Sequence, residues 1–164
     1  MHSRAARPGD AETIAGIYNE GIEERIATFE TRPRVAGEIR AWFEDGHPIV
    51  VVEDGGAVIS FANASAYSSR ECYSGVAEFS VYTAKEGRGR RAGTLAMEAL
   101  ISATEKAGFW KLTSRVFVEN EPSLKLLLSL GFREVGVHEK HARLDGIWRD
   151  VVVVERLITS NLKP

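Results

Sequence analysis

Residues 78–94 read EFSVYTAKEGRGRRAGT, and this stretch decides the fold. The aromatic and β-branched residues of Val76–Thr83 predict a strand. Residues 85–91 are rich in glycine and arginine and predict a turn. Beyond them, apolar residues recur at the spacing of a helix, at Leu95, Ala96, Ala99, Leu100 and Ala103. The order strand, turn, helix places a basic turn at the N-terminus of a helix.

This basic turn has the properties of a phosphate-binding site. The start of a helix presents unpaired N–H groups and a partial positive charge of about +0.5. Gly89 and Gly93 allow the main chain to approach a ligand closely, and three arginines add forked donors. The patterns G-x-x-x-x-G-K-[ST] and G-x-G-x-x-G are both absent, which argues against ATP and NAD. The alternative is an exposed basic turn that binds no ligand.

The rest of the chain predicts one α/β domain over residues 1–164. Two amphipathic helices come first, one capped by Asp10 and one carrying Ile39, and Asp54-Gly55-Gly56 joins the strands of a hairpin. The run Val151–Val154 lacks polar alternation, so its strand is expected to be covered on both faces. The remaining predicted elements are strands at 49–53, 57–67, 112–118, 132–138 and 148–157 and a helix at 122–130.

Composition excludes several classes of function. The 164 residues carry 21 basic and 23 acidic side chains, a net charge of -2, which argues against a general nucleic-acid binder. No apolar run exceeds four residues, so no membrane span is expected. The first residues lack the apolar core of a secretory signal, and Cys72 is the one cysteine. We therefore expect a cytoplasmic protein with a free thiol.

Four segments resemble, in their order along the chain, the GNAT acetyltransferase superfamily. They are the strand that begins at Glu78, the turn 88–93, the sequence Asn120-Glu121-Pro122-Ser123, and Leu130-Gly131-Phe132. The tail 143–151, RLDGIWRDV, is similar to the branch that acetylates phosphinothricin, methionine sulfoximine and arsinothricin. The resemblance spans nearly the whole chain.

The resemblance implies a GNAT fold of the α/β (α+β) class, with a mixed central sheet that splays open where acetyl-CoA binds. Val81 and Thr83 would pair with the pantetheine arm through main-chain groups. Arg88, Arg91 and Gly93 occupy the first, fourth and sixth positions of the Q/R-x-x-G-x-G/A turn, although the fourth is usually glycine. The implied coenzyme site consists of Val81, Tyr82, Thr83, Arg88, Gly89, Arg90, Arg91, Ala92, Gly93, Thr94, Asn120 and Ser123.

The same resemblance implies an acceptor site. Glu78 matches the carboxylate that removes a proton from the substrate ammonium; the alternative is an ion pair that serves solubility. Arg70 and Tyr73 have the R-x-x-Y spacing of the acceptor-binding loop, and an arginine can hold an oxyanion with two parallel bonds. Phe29 matches an aromatic residue of that pocket. Asp145 stands where phosphinothricin enzymes have a histidine, in K-H-G-x-W, and is also assigned to the substrate site.

Other candidate residues are less persuasive. Many GNAT enzymes have a Tyr or His seven residues after the asparagine, to protonate the leaving thiolate, but this chain has Leu127. His138 and His141 are three residues apart, which on a regular strand directs them to opposite faces, so no metal site is expected. Cys72 has no accompanying base and is not expected to be a nucleophile.

The sequence therefore predicts direct transfer of acetyl from acetyl-CoA to the amine of a small anionic, amino-acid-like molecule. The family implies a homodimer and a role in antibiotic or herbicide resistance. Alternatives stay open: a peptide N-terminus, a polyamine or an aminoglycoside as acceptor, or a CoA-binding sensor without catalysis. Arg70 weighs against cationic acceptors, which prefer acidic walls.

Overall fold

The computed structural model describes residues 1–164 as one seven-stranded sheet with helices on both faces. The order of strands in the sheet is β1-β2-β3-β4-β5-β7-β6. The strands are β1 (His2–Ala5), β2 (Ile49–Asp54), β3 (Ala57–Ala66), β4 (Val76–Thr83), β5 (Lys111–Phe117), β6 (Arg133–Leu144) and β7 (Ile147–Leu157). The helices are α1 (Ala11–Glu24), α2 (Ala36–Trp42), α3 (Ala92–Lys106) and α4 (Glu121–Ser129).

The sheet is mixed because β4 and β5 are parallel while all other neighbours are antiparallel. Parallel neighbours need a crossover connection, and α3 supplies it. The parallel pairing is short: it joins Val76 to Lys111, Ala77 to Leu112 and Glu78 to Thr113, and then ends. Beyond Glu78 the two strands are no longer paired, although both continue for several residues.

Each face of the sheet carries its own hydrophobic core. The core on one face contains Val50 and Val52 with the buried side of α3, and the core on the other contains Ile49 and Val51 with α1. Side chains alternate along a strand, so a strand covered on both faces is apolar at every position. The same reason accounts for Val151–Val154, where three of the four valines are at most 5% exposed. The α/β prediction and the covered strand are both confirmed.

The structure also adds elements that the sequence pattern did not reveal. The strand β1 lies at the sheet edge and pairs with β2. The last hairpin is longer than predicted, because β6 runs to Leu144 and a tight turn at Asp145 (φ 51°) and Gly146 (φ 78°) leads directly into β7.

The expectation that His138 and His141 lie on opposite faces is wrong. Their rings stack at a centroid distance of 4.6 Å and an interplanar angle of 17°. The cause is a bulge in β6, where the register with β7 shifts between His138 and Ala142 and Lys140 has φ 46°. The Lys140 N–H donates to Asp150 Oδ1 at 2.7 Å and so fixes the bulge.

We expect Gly75→Ala to destabilise the fold. The Gly75 carbonyl accepts the Trp110 N–H at 2.8 Å where the parallel pairing begins, and a Cβ at Gly75 would overlap the Trp110 indole. Overpacking of this kind costs about 1–3 kcal/mol. The control is Gly16→Ala in α1, where a Cβ meets no atom within 4 Å and the free energy of unfolding should rise by about 0.4–1 kcal/mol. Urea unfolding of both variants measures the difference; equal stabilities would contradict the prediction.

We expect Asp10 to make the stability dependent on pH. Arg4 donates to both Asp10 oxygens, at 2.8 and 2.9 Å, and to Glu53 at 2.7 Å, which joins β1 to β2 and to the start of α1. The hydrogen bonds from Arg4 hold the pKa of Asp10 below its ordinary 3.8. Because the folded pKa is the lower one, the stabilisation is complete above pH 3.8 and is lost as the pH falls below it. Asp10→Asn should therefore be less stable than the parent at pH 7, and the difference should shrink toward pH 3 in thermal unfolding. A difference that stays constant with pH would contradict this account.

Candidate active site

The site is organised around the gap between β4 and β5. The Gly75 carbonyl faces β5, so by strand alternation the main-chain groups of Phe79, Val81 and Thr83 face the same side. The Phe79 carbonyl accepts a bond from the Ser114 side chain at 3.0 Å instead of from a β5 main-chain group. Val81 follows where β5 has moved away, and its peptide groups face the opening. A cavity of about 60 Å³ at this point is lined by Ala27, Phe79, Ser80, Val81, Tyr82, Ser114, Arg115, Val116, Asn120, Ser123 and Leu127.

The turn between β4 and α3 presents a row of free donors. None of the six main-chain N–H groups of residues 89–94 forms a hydrogen bond within the protein, whereas the N–H of Leu95 bonds to the Arg91 carbonyl. Gly89 has φ 73° and Arg91 has φ 66°, so the chain turns twice into the left-handed region before α3 begins. A Cβ at Gly93 would lie 3.1 Å from Leu126 and 3.3 Å from Thr83 Oγ1, so this glycine lets α3 approach both neighbours. The result is an array of donors suited to phosphate oxygens.

The three arginines of this turn differ in their partners. Arg88 donates to both oxygens of Glu24, at 2.9 and 2.6 Å, and these bonds raise the pKa of the Arg88 guanidinium. Arg90 pairs with Asp54 at 2.7 Å. Arg91 forms no ion pair, so its guanidinium is the one available without breaking a bond.

The start of α4 borders the gap on the other side. Asn120 caps this helix, and its side-chain oxygen accepts the Ser123 N–H at 3.4 Å. Both residues line the small cavity, as does Leu127, which is 1% exposed. The side chain at the position of the family's Tyr or His is thus an aliphatic group without a proton to donate.

A larger cavity of about 500 Å³ lies beside the gap. Glu78 lines it, and Arg115 Nη2 donates to Glu78 Oε1 at 2.9 Å, which leaves Oε2 without a protein partner. Phe29 lines it as well and packs edge-on against Phe117, with 4.7 Å between ring centroids. The lining comprises Tyr18, Ala27, Thr28, Phe29, Glu30, Ser65, Glu78, Phe79, Ser80, Tyr82, Ser114, Arg115, Phe117, His141, Ala142 and Val151.

Arg115 and His141 were missed by the sequence reasoning. Arg115 is on β5 two residues beyond Thr113, the partner of Glu78, so both project on the side of Glu78. The available signal was that Arg115 is a charged residue in a strand predicted to lie in the centre of the sheet. It is two residues beyond Thr113, which pairs with the candidate base Glu78. His141 reaches the cavity because of the bulge in β6, and no local sequence pattern indicated that bulge.

Three predicted acceptor residues lie outside the cavity lining. Arg70 and Tyr73 are exposed in the loop before β4, with the guanidinium 5.4 Å from the centroid of the Tyr73 ring. Asp145, on the β6–β7 turn, pairs with Arg25 at 3.2 Å.

Tyr82, predicted at the coenzyme site, packs its ring against Phe61 on the face of Glu78, and burial raises the pKa of its hydroxyl. The roles of these four residues stay predictions.

Comparison with known proteins decides the family. The model of the acetyltransferase (GNAT) family matches residues 14–132. The chain belongs to this family. It is 30% identical to a phosphinothricin N-acetyltransferase of Streptomyces coelicolor, over 92% of this chain and 94% of that protein. It is 27% identical to an L-methionine sulfoximine/L-methionine sulfone acetyltransferase of Pseudomonas aeruginosa, over 93% and 91%.

The fold is likewise shared with solved structures. A GNAT superfamily phosphinothricin acetyltransferase of Sinorhizobium meliloti, in complex with acetyl-CoA, superposes with a TM-score of 0.88 at 30% identity, over 94% of this chain and 86% of that one. As a GNAT member the chain is an N-acetyltransferase with acetyl-CoA as its acetyl donor. Its own residues fit that donor, because the free N–H groups of 89–94 suit a diphosphate and the free edge at Val81 suits an amide-bearing arm. No helix of the structure is both long and apolar enough to span a membrane.

We expect Arg91→Ala to weaken acetyl-CoA binding. A charge-assisted bond contributes about 1.5–3 kcal/mol, so loss of the unpaired guanidinium should raise the Kd for acetyl-CoA by roughly 10-fold or more. Alanine keeps a Cβ, so the strain at φ 66° is unchanged and the thermal midpoint should stay close to that of the parent. Titration calorimetry at two salt concentrations measures the Kd. The control is Arg133→Ala, which removes a guanidinium bound to Glu155 on β7; an equal Kd for both variants would contradict the assignment.

Proposed function

We propose that this N-acetyltransferase transfers acetyl directly to the primary amine of a small, anionic, amino-acid-like acceptor of the phosphinothricin, methionine sulfoximine or arsinothricin type. The observation that carries the proposal is the position of Glu78. This carboxylate stands at the last residue paired between β4 and β5, and so borders both the gap and the larger cavity.

The larger cavity supports the choice of a small acceptor. Its volume of about 500 Å³ lies in the range of about 300–1,000 Å³ that is usual for small-molecule sites. Arg115 offers a cation to an oxyanion, while Glu78 and Glu30 offer anions to an ammonium group. Phe29 and Phe117 form an apolar wall against which an aliphatic chain can pack. The named substrates of the two relatives combine these features.

In the proposed mechanism, Glu78 prepares the amine for attack. Acetyl-CoA supplies the acetyl group as a thioester. Glu78 Oε2 accepts the proton of the acceptor ammonium, directly or through a water molecule, since Oε1 is held by Arg115. The neutral amine then attacks the acetyl carbonyl carbon, so that a C–N bond forms and the C–S bond breaks. The second amine proton passes to solvent, and so does the proton held by Glu78 before the next turnover. Because Leu127 cannot donate a proton, the thiolate is protonated by solvent or by another group.

The ion pair between Glu78 and Arg115 is compatible with the proposed role of Glu78 as a base. An ion pair at a strand edge was the alternative interpretation, and Glu78 does pair with Arg115. The pair is at the cavity wall, however, and the carboxylate remains about one-third exposed, with one oxygen free to accept a proton. Arg115 fixes the orientation of the carboxylate and is itself within the acceptor cavity.

The remaining family traits are proposed with the activity. Arg70, Tyr73 and Asp145 are proposed to contact the acceptor or a neighbouring subunit, since they do not line the cavity within one chain. A homodimer is supported by the exposed apolar side chains of the last hairpin, Val135, Val137, Ile147 and Trp148, which are 46–60% exposed. A cytoplasmic location and a role in resistance stay predictions.

We expect Glu78→Gln to abolish most of the turnover. A positioned base contributes about 10²- to 10⁴-fold in rate, so kcat should fall by that factor while the Kd for acetyl-CoA stays within two-fold. Release of free CoA thiol is followed with phosphinothricin, methionine sulfoximine, arsinothricin, a peptide with a free N-terminus, and spermidine. Glu98→Gln, an exposed carboxylate of α3, is the control.

Each outcome separates the candidates. Turnover confined to the anionic amino acids supports the proposal, whereas turnover confined to the peptide or spermidine overturns the acceptor class. Tight binding of acetyl-CoA without turnover of any amine supports a sensor. Undiminished turnover in Glu78→Gln removes this residue from the mechanism.

A further inference from the structure

Three polar side chains share one face of the central sheet with Glu78, the candidate base. In the register of β3 and β4, Asn63 lies opposite Ser80, and Ser65 lies opposite Glu78. Residues two apart on a strand project to the same face, and directly opposite residues have Cβ atoms about 4.5–5.5 Å apart. Asn63, Ser65, Glu78 and Ser80 therefore form a two-by-two patch, which we call the polar floor.

Asn63 is the unusual member of the polar floor. It is 9% exposed, its side-chain oxygen is fully buried, and that oxygen has no hydrogen-bond partner in the protein. Leaving such a group unpaired costs about 1–3 kcal/mol. Ser60, the other buried polar residue of β3, bonds to the Tyr82 carbonyl and to Thr83. The strand thus satisfies its polar group at Ser60 and leaves Asn63 without a protein partner.

The surroundings of Asn63 restrict what can satisfy it. On one side its strand partner is the aliphatic Ile49, and on the other side it is Ser80. Ser65 and Ser80 line the larger cavity, whereas Asn63 does not. Asn63 is therefore placed behind the wall that the acceptor would touch. Neither serine hydroxyl forms a hydrogen bond with the protein. Asn63, Ser65 and Ser80 therefore face one region with hydrogen-bonding groups that have no protein partner.

We propose that Asn63 is a positioning residue of this reaction, whose side chain holds on the polar floor the water molecule through which Glu78 takes the proton of the acceptor amine. A buried water needs about two to four polar partners, and the Asn63 amide, the two serine hydroxyls and Glu78 Oε2 supply that number. Short side chains at the spacing of paired strands suit a bridging water better than direct bonds. The inference rests on the proposed role of Glu78 as base.

The relay balances without any additional reactant. The ammonium transfers one proton to the water oxygen while the water transfers one of its own protons to Glu78 Oε2. The water is regenerated, the amine becomes neutral, and Glu78 becomes protonated. Asn63 takes no proton and does not touch the reacting atoms, so it is a positioning residue.

The test is Asn63→Leu, which keeps the approximate shape of the side chain and removes both of its hydrogen-bonding groups. We expect kcat to fall by about 10-fold or more, within the range for assisted proton transfer, with the KM for the acceptor and the Kd for acetyl-CoA within two-fold. The pH profile of kcat should shift and its solvent isotope effect should change, which a merely structural residue would not cause. Asn63→Ser retains a hydroxyl and should have an intermediate kcat; it also serves if the leucine variant fails to fold.

The matched control is His47→Leu, which replaces another residue with a buried, unpartnered polar atom. The His47 ring packs near Phe109, outside both cavities. Its kcat and pH profile should equal those of the parent. The proposal is overturned if Asn63→Leu keeps its kcat within two-fold, or if only its KM rises, which would indicate direct contact with the acceptor. Failure of this inference is distinguishable from failure of the proposed role of Glu78. If that role is wrong, Glu78→Gln remains active. If only this inference is wrong, Glu78→Gln loses its turnover while Asn63→Leu keeps it.

Discussion

The separation of β4 from β5 after Glu78 is the constraint on which the rest of the site depends. Three paired positions hold the strands together, and then Ser114 satisfies the Phe79 carbonyl with its side chain, so that the strands can part without leaving that group unbonded. A buried main-chain group without a partner is costly, so an open edge persists in a sheet only where a ligand or water can reach it. The same separation opens the small cavity and exposes the peptide groups of Val81 to it.

Two different kinds of group build the two sides of this opening. The proposed donor side consists mainly of main-chain groups, namely the free N–H groups of residues 89–94 and the edge at Val81. The positions of these groups follow from the backbone conformation. Gly93 permits this conformation because, without a Cβ, it lets α3 pack closely against Leu126 and Thr83. The proposed acceptor side consists of side chains from distant parts of the chain: Phe29 after α1, Glu78 on β4, Arg115 on β5 and His141 on β6.

This difference explains how far the sequence could be interpreted. The fold class was predictable from local patterns, and the turn 88–93 and Glu78 could be proposed as site residues because each belongs to a motif of consecutive residues. Arg115 was not identified because its relation to Glu78 depends on strand register, and the pairing of β4 with β5 covers three residues. His141 could not be assigned because β6 carries two extra residues between His138 and Ala142, and this bulge interrupts the regular alternation of side chains. The sequence also could not show that Arg91 is the arginine without an ion pair. That follows from the tertiary contacts of Glu24 with Arg88 and of Asp54 with Arg90.

The arrangement of charge in the larger cavity follows from the same topology. Glu78 and Arg115 come from adjacent strands at the point of separation, so the carboxylate is held by one oxygen while the other faces the cavity. A base on a loop would need extra contacts to be oriented to this degree, whereas a base on a central strand inherits its orientation from the sheet. The neighbouring strand β3 orients the polar floor in the same way. It pairs with β4 without a register shift and places Asn63 and Ser65 opposite Ser80 and Glu78. The paired half of the sheet thus orients the proposed base and the parted half leaves room for a ligand, so the proposed site lies at their junction.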